Sequence, residues 1–232
     1  MVGAARSIRN SLWIPAALLA ASTSAQITQK PAGYEFRAKY AKNARQEFEF
    51  NTVVVPIGSK TAPKQNLIMP VAMRVLEVAK GGVAKIQSRV GPVTLNGTEI
   101  RPMTSITVQV DSLNRLVGQN KELPQFATPL PLKPVKSGGS WSATIDASEA
   151  AGERIKVKAT YKLLRVQGRL AYIQVRLASI NAPNSTVTSN GQGTMVLRTA
   201  DCSLESMQMN QTVTLKGNRG GARTIILVRR RL

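Results

Sequence analysis

Basic side chains at alternate positions form the main candidate binding site of this chain. Arg154, Lys156, Lys158 and Lys162 are separated by mostly apolar residues in a stretch with a period of two. In an extended strand, alternate side chains point to the same face, so this spacing predicts a strand with one strongly basic side. Like charges this close require water, neighbouring carboxylates or an anionic ligand. The pattern therefore predicts a basic face that is solvated, paired with acids, or used to bind an anion.

A second basic cluster, Arg229, Arg230 and Arg231, directly follows the apolar residues 224–228. Such a tail can engage anionic lipid head groups, where each basic residue near the surface contributes roughly 1 kcal/mol. Alternatively, the arginines protect the edge of a final hydrophobic strand against pairing with other chains. A third group near residues 37–45 has acids close by in sequence, at Glu35, Glu47 and Glu49.

The residues needed for common catalytic and metal sites are absent. The chain has no histidine and a single cysteine, Cys202, so zinc sites of His and Cys and triads of the Ser-His-Asp type cannot be assembled. Asp111 and Asp201 each follow a candidate strand, where an aspartate side chain commonly accepts hydrogen bonds from nearby backbone amides. We therefore expect no catalytic residues, no metal site and no cofactor, and predict that the protein is not an enzyme. Cys202 is expected to be a small buried hydrophobe.

The first 25 residues have the order of a secretory signal. Residues 1–10 contain Arg6 and Arg9 and no acid, residues 12–21 are apolar, and small residues lead up to Ala25. This order predicts a signal peptide at 1–25 and an exported protein, periplasmic or extracellular. An uncleaved anchor is disfavoured because crossing a bilayer takes about 20 apolar residues. No cysteine follows the apolar run, so lipid attachment through a lipobox cysteine is not predicted.

Export and charge together limit the candidate partners. Loss of Arg6 and Arg9 would lower the formal net charge from +20 to +18. Such a surface attracts polyanions, and in the cell envelope these are an anionic lipid or an envelope polysaccharide. Peripheral membrane contact and binding to another envelope protein also fit. Nucleic acid is not expected, because it is not the usual partner of an exported protein and the chain has only ten aromatic residues for base stacking.

Alternation of apolar and polar residues predicts an all-β fold. Tyr34, Phe36, Ala38 and Tyr40 alternate with polar residues, as expected for a strand with one face on a core. One short segment, residues 147–154, is instead compatible with a helical turn. Asn190-Gly191 is among several turn signals between strands. The fold class predicted is an antiparallel curved sheet, an open barrel or a sandwich, and further candidate strands are residues 46–57, 67–79, 83–90, 105–111, 140–145, 155–163, 169–178, 194–199, 206–215 and 223–228.

A weak internal repeat suggests two similar halves. Residues 73–90 (MRVLEVAKGGVAKIQSRV) align with residues 161–177 (YKLLRVQGRLAYIQVRL) with one gap at the glycine turn. This divides the chain into a first β half at 26–122, a proline-rich connection at 123–136 and a second β half at 137–232. Residues 26–232 can also form one domain, and the similarity can also be convergence between two hairpins.

The segment LPLKPVKSGGSW, residues 130–141, resembles a signature of a family of exported bacterial β-rich proteins of unknown function. In that signature a Leu-Pro and Lys-Pro-Val element precedes a glycine and then a tryptophan that opens a strand. The chain departs from it at Gly139, where the family often has an acidic residue. The resemblance implies a β-rich extracytoplasmic domain and no particular activity. From the residues alone, Trp141 is expected to point its ring into the core.

The expected function is that of an exported, non-enzymatic binding protein of the cell envelope. Its basic face would engage an anionic lipid or polymer, and an apolar concavity would be available for acyl chains. The alternative is a structural or assembly protein that binds another envelope protein through a sheet edge.

Overall fold

The structure, a computed structural model, describes residues 26–58, 62–118, 128–150, 153–180, 187–215 and 220–231. These residues form strands, turns and loops, which confirms the predicted all-β class. None of them forms a helix of the length and apolar character needed to cross a membrane.

The described strands follow one another with mostly short connections. In chain order they are β1 (Gln26–Lys30), β2 (Gly33–Arg37), β3 (Arg45–Ile57), β4 (Gln65–Val78), β5 (Ala84–Val90), β6 (Val93–Leu95), β7 (Thr98–Arg101), β8 (Thr104–Val110), β9 (Ser140–Ala150), β10 (Glu153–Gln167), β11 (Leu170–Ile180), β12 (Val187–Arg198), β13 (Leu204–Leu215) and β14 (Gly221–Arg231).

Twelve of the described strands belong to one antiparallel sheet. Its main path runs β8-β5-β4-β3-β14-β13-β12-β11-β10-β9, and the β6–β7 hairpin pairs with the start of β4. The sheet is not closed into a barrel. β1 and β2 form a separate hairpin. The sequence predicted the long strands, but it missed β1, β6 and β7, which are too short to show a clear alternation.

The ladder between β3 and β14 joins the beginning and the end of the chain in the middle of the sheet. Eleven residue pairs connect the two strands, from Ile57 opposite Gly221 to Glu47 opposite Arg231. Strands β4, β5 and β8 continue the sheet on one side, and β13 to β9 continue it on the other.

One face of the sheet is buried along most of its length, and we call it the inner face. In β3 the side chains of Phe48, Phe50, Thr52 and Val54 are buried while those between them are more exposed. Burial of apolar area at roughly 25 cal/mol per Å² makes this face the principal source of stability. The opposite side is the outer face, whose side chains are half-buried or exposed in β3. This alternation is what the period of two in the sequence predicted.

Loops and the β1–β2 hairpin cover the inner face at one end, which we call the closed end. The amide of Ile27 donates a hydrogen bond to the carbonyl of Thr199 at 2.9 Å. The amide of Ala38 donates one to the carbonyl of Ser112 at 2.8 Å. The amide of Leu130, in the proline-rich connection, donates to the carbonyl of Leu113 at 2.9 Å. The connection therefore packs into the closed end, and Leu130 is only 1% exposed.

Trp141 anchors this packing. Its ring stacks on Tyr161 with centroids 5.2 Å apart and lies 5.8 Å from the ring of Phe36. Its Nε1 donates a hydrogen bond to the carbonyl of Pro129 at 3.0 Å. Because Tyr161 is on β10 and Phe36 on β2, one side chain links the sheet, the hairpin and the connection. The predicted inward orientation is confirmed.

The two hairpins that align in sequence also share an irregularity. In β4–β5, Val75 lies opposite Ile86 and the register then shifts to Glu77 opposite Lys85. In β10–β11, Leu163 lies opposite Ile173 and the register shifts to Arg165 opposite Tyr172. The two β-bulges fall at aligned positions, with Leu76 matching Leu164. A shared bulge is a more specific similarity than alternation and a glycine turn.

Two local predictions are wrong. Asn190-Gly191 is not a turn but the middle of β12, where the backbone of β13 approaches closely: a Cβ at Gly191 would lie 3.2 Å from the carbonyl oxygen of Asn210, and one at Gly193 would clash with that of Gln208. The described residues of the segment 147–154 do not form a helical turn, because 147–150 belong to β9 and 153–154 to β10. Cross-strand pairing overrides the local helical spacing of Glu149 and Glu153.

We predict that Trp141→Ala lowers the free energy of unfolding by about 3 kcal/mol, because it removes the stacked ring and leaves a cavity between three elements. Urea denaturation followed by far-ultraviolet circular dichroism measures this loss. Leu132→Ala is the control, since Leu132 is 61% exposed and its truncation should change stability by less than about 0.5 kcal/mol. Equal effects of the two substitutions would show that Trp141 is not an anchor.

Candidate anion-binding face

The outer face of β10 presents three of the predicted basic residues. Lys156, Lys158 and Lys162 are exposed and point to the same side of the strand. Arg154 belongs to the same strand and lies opposite Glu149 in the register, but its side chain is outside the described part of the structure. The spacing in the sequence thus places these cations together.

Two further cations join this face from positions that the sequence analysis did not select. Arg176 on β11 is exposed and lies opposite Thr160, between the levels of Lys158 and Lys162. The guanidinium of Arg165 lies 4.4 Å from the centroid of the Tyr172 ring, in a cation–π contact.

A simple signal in the sequence could have identified both. Residues 154–200 contain no aspartate or glutamate and eight basic residues, which are Arg154, Lys156, Lys158, Lys162, Arg165, Arg169, Arg176 and Arg198. This acid-free stretch runs from the second residue of β10 through β12 and marks a region of the sheet rather than a single strand.

The central lysines lack acidic neighbours in the adjacent strands. Their cross-strand partners are uncharged: Thr144 and Ala178 for Lys158, and Ser140 and Gln174 for Lys162. Among the described side chains, no carboxylate lies within ion-pair distance of Lys158 or Lys162. Pairing with acids therefore does not account for these two charges in the described part of the chain. The other two predicted explanations are solvation and the binding of an anion.

The three C-terminal arginines do not form one site. Arg231 makes an ion pair with Glu49, and Arg229 lies opposite Glu49 on the same outer face. Arg230 is oriented differently: its Nη1 lies 3.9 Å from a carboxylate oxygen of Asp201 and donates to Ser203 Oγ at 3.1 Å. Three strands separate β14 from β10. The proposed role as protection of a sheet edge is wrong, because β14 is paired on both sides.

The basic group near the start of β2 and β3 is partly paired with acids. Glu35 receives an ion pair from Arg37 at 3.1 Å and another from Lys30 at 3.9 Å. Arg37 also donates to the carbonyls of Pro131 and Leu132, each at 3.3 Å. These contacts hold the β1–β2 hairpin against the connection, which is a structural role.

The aspartates at strand ends serve as turn residues, as predicted. Asp111 Oδ1 accepts hydrogen bonds from the amides of Leu113 and Arg115 at 2.8 and 2.9 Å. Asp201 Oδ1 accepts one from the amide of Ser203 at 3.0 Å. In the described part of the chain, no group of three acidic or cysteine side chains is placed to hold a metal ion.

The five methionines on the inner face do not line an open apolar concavity. Met195 lies opposite Met207, and both are at most 5% exposed, so they contact other protein atoms rather than open space. Met69, Met73 and Met209 are equally buried in the same core cluster. The methionines therefore fill the core.

A small polar layer interrupts this core towards the other end of the sheet. Gln211 donates through Nε2 to Ser189 Oγ at 2.8 Å, while its Oε1 has no hydrogen-bond partner among the described residues. Thr52 Oγ1 is likewise buried without a described partner. Beyond this layer lies a second, smaller apolar cluster around Val157 and Val187. Because it contains buried polar atoms without hydrogen-bond partners among the described residues, this layer lowers the stability of the fold locally.

No protein-family model matches the chain, and no curated protein is significantly similar to it. The resemblance to a family of exported β-rich proteins therefore stays a prediction.

Three buried groups make the stability of the fold sensitive to alkaline pH. Burial raises the pKa of the Cys202 thiol from 9.0 to about 12, and it raises the pKa of the Tyr161 phenol above its ordinary 10.0. Burial, with the nearby charge of Asp111, also raises the pKa of Tyr40. The folded state thus favours the protonated form of each group. The resulting contribution to the free energy of unfolding is fully present below the ordinary pKa of the group and is lost as the pH rises above that value.

We predict that the urea midpoint is constant from about pH 7 to 8.5 and falls from about pH 9 to 11, as the unfolded state gains the ability to ionise these groups. Urea titrations across this range measure the trend. Tyr161→Phe removes one ionisable group, so its midpoint should fall less steeply than that of the unmodified protein. Parallel slopes for the two proteins would contradict the role given to Tyr161.

Proposed function

We propose that the protein binds an anionic ligand through the outer face of β10 and β11, as an exported, non-enzymatic protein of the cell envelope. One observation carries this proposal: Lys158, Lys162 and Arg176 are exposed side by side, and their cross-strand neighbours are uncharged. The ligand class is an anionic lipid or polymer.

The energetics of the sheet support this interpretation. Like charges on adjacent positions repel one another, and proteins commonly reduce this cost by interspersing acids. Here Lys158, Lys162 and Arg176 have only uncharged cross-strand partners, which leaves the repulsion among them in place, whereas Lys156 lies opposite Asp146 of β9. An anion bound across the lysines would remove that repulsion. Relief of the repulsion would therefore contribute favourably to the free energy of binding. Screening by salt, over a Debye length of about 10 Å at 0.1 M, should weaken this binding.

A second candidate function is assembly with another envelope protein by strand addition. In the described part of the sheet, β9 pairs with β10 alone and its other edge has no strand partner. A filled inner face combined with a free edge fits an assembly role, in which a partner strand would extend the sheet beyond β9.

We predict that the triple variant K156Q/K158Q/K162Q loses at least tenfold in affinity for an anionic probe, because it removes the central cations of the face. Heparin and vesicles containing phosphatidylglycerol are the two probes, measured at low and high salt. The unmodified protein should bind one of them in a salt-sensitive manner.

The matched control is K80Q/K85Q/K133Q, which removes the same charge at exposed positions outside β10 and β11. It should retain most of the affinity. If both triple variants are folded and lose affinity equally, binding depends on net charge and the proposed face is not the site. Binding of a strand peptide at β9 with no anion binding would favour assembly.

A further inference from the structure

The outer face continues from the lysines across five strands as an ordered polar surface. The row of cross-strand partners through Arg176 reads Ser142, Thr160, Arg176, Gln192 and Asn210 from β9 to β13. All five are exposed or half-buried. At about 4.8 Å between neighbouring strands, this row is about 19 Å long.

The adjacent row, through Lys162, has the same character. It reads Ser140, Lys162, Gln174, Thr194 and Gln208, again from β9 to β13. We call the outer face formed by these two rows and the row through Lys158 the polar plateau. Ala178, in the third row, is the one plateau residue without a polar side chain.

The cations of the plateau follow a line along the β10–β11 hairpin. Lys158, Arg176 and Lys162 occupy three successive rows, about 6.7 Å apart along the strands. Arg165 extends the line at one end, and Lys156, which lies opposite Asp146 of β9, extends it at the other. From residue 156 to residue 165 the strand covers about 30 Å. An extended polyanion lying along the β10–β11 hairpin would thus meet a cation at nearly every row.

The side chains beside this line favour a hydroxylated polymer over a membrane. Amides and hydroxyls both donate and accept hydrogen bonds, as sugar hydroxyls require. Interfacial membrane binding draws on large apolar side chains that enter the acyl region. The three plateau rows present only the methyl group of Ala178, and the exposed Ile180 and Leu164 lie beyond them. The aromatic residue next to the plateau, Tyr172, is covered by Arg165, so it offers no open platform for stacking bases.

We propose that the polar plateau binds a linear acidic polysaccharide that lies along β11, with its carboxylates on Arg176 and on the lysines of β10 at one side and its hydroxyls on the amides of β12 and β13 at the other. This rests on the proposed function, since the cations are the same, and it adds a ligand class and a second set of contacts. Charge-assisted hydrogen bonds to the carboxylates supply affinity, and the amides distinguish a sugar polymer from other polyanions.

The test uses the full chain and two soluble polyanions, polygalacturonate and inorganic polyphosphate. The variant Q192A/Q208A removes two plateau amides and no charge. We expect it to lose at least fivefold in affinity for polygalacturonate and to bind polyphosphate within twofold of the unmodified protein. The control Q87A/Q109A removes two amides from the outer side of β5 and β8 and should change neither affinity. Galacturonate oligomers shorter than about 30 Å should bind more weakly than longer ones.

The outcomes separate this proposal from the one on which it rests. Unchanged polygalacturonate binding by Q192A/Q208A would overturn the polysaccharide assignment while leaving anion binding by the lysines intact. Stronger binding of phosphatidylglycerol vesicles than of polygalacturonate would also overturn it, in favour of a membrane. If no anionic probe binds in a manner that depends on Lys156, Lys158 and Lys162, the proposed function itself fails.

Discussion

The burial of one face of a single sheet is the constraint on which this structure depends. Twelve of the fourteen described strands form one antiparallel sheet that is not closed into a barrel, and the other two form the β1–β2 hairpin. The covering is made by the sheet's own curvature, by the β1–β2 hairpin and by the connection that follows residue 127. Trp141 is central to this arrangement, because its ring contacts Phe36 and Tyr161 and its Nε1 binds the carbonyl of Pro129. The closed end therefore depends on contacts between segments that are far apart in sequence.

Since the inner face supplies most of the stability, the outer face is free to carry a different composition. Side chains there contribute little to burial, so amides, hydroxyls and unpaired cations are tolerated at modest cost. The contrast between strands is informative. On β14 and β3, Arg231 is paired with Glu49, whereas Lys158 and Lys162 on β10 have uncharged neighbours. On β14 and β3 acids and bases are mixed, whereas residues 154–200, which follow Glu153 through β10 to β12, contain no acid, and this difference is the basis of the functional proposal.

Short-range patterns in the sequence were sufficient for the strand class, the turn aspartates, the inward Trp141 and the basic side of β10, because each depends on local geometry or on the period of two. Properties that depend on pairing between strands far apart in the sequence could not be predicted from these patterns. The alternation around residues 224–228 predicts a strand but cannot show that it lies between β3 and β13, and so Arg229, Arg230 and Arg231 appeared as one cluster at an edge. Arg230 in fact reaches Asp201. Asn190-Gly191 looked like a turn because the close approach of β13 to Gly191 is visible only in three dimensions.

The central ladder also determines when the fold can be completed. Ile57 pairs with Gly221, so even the nearest partners in the β3–β14 ladder are 164 positions apart. A ribosome must therefore finish nearly the whole chain before the middle of the sheet can form, and closing so long a loop makes folding intrinsically slow. Until β14 docks, β3 and β13 each present an unpaired edge, which is a template for association with other chains. The pairing of β14 thus ends the interval during which the incomplete sheet is most exposed to aggregation.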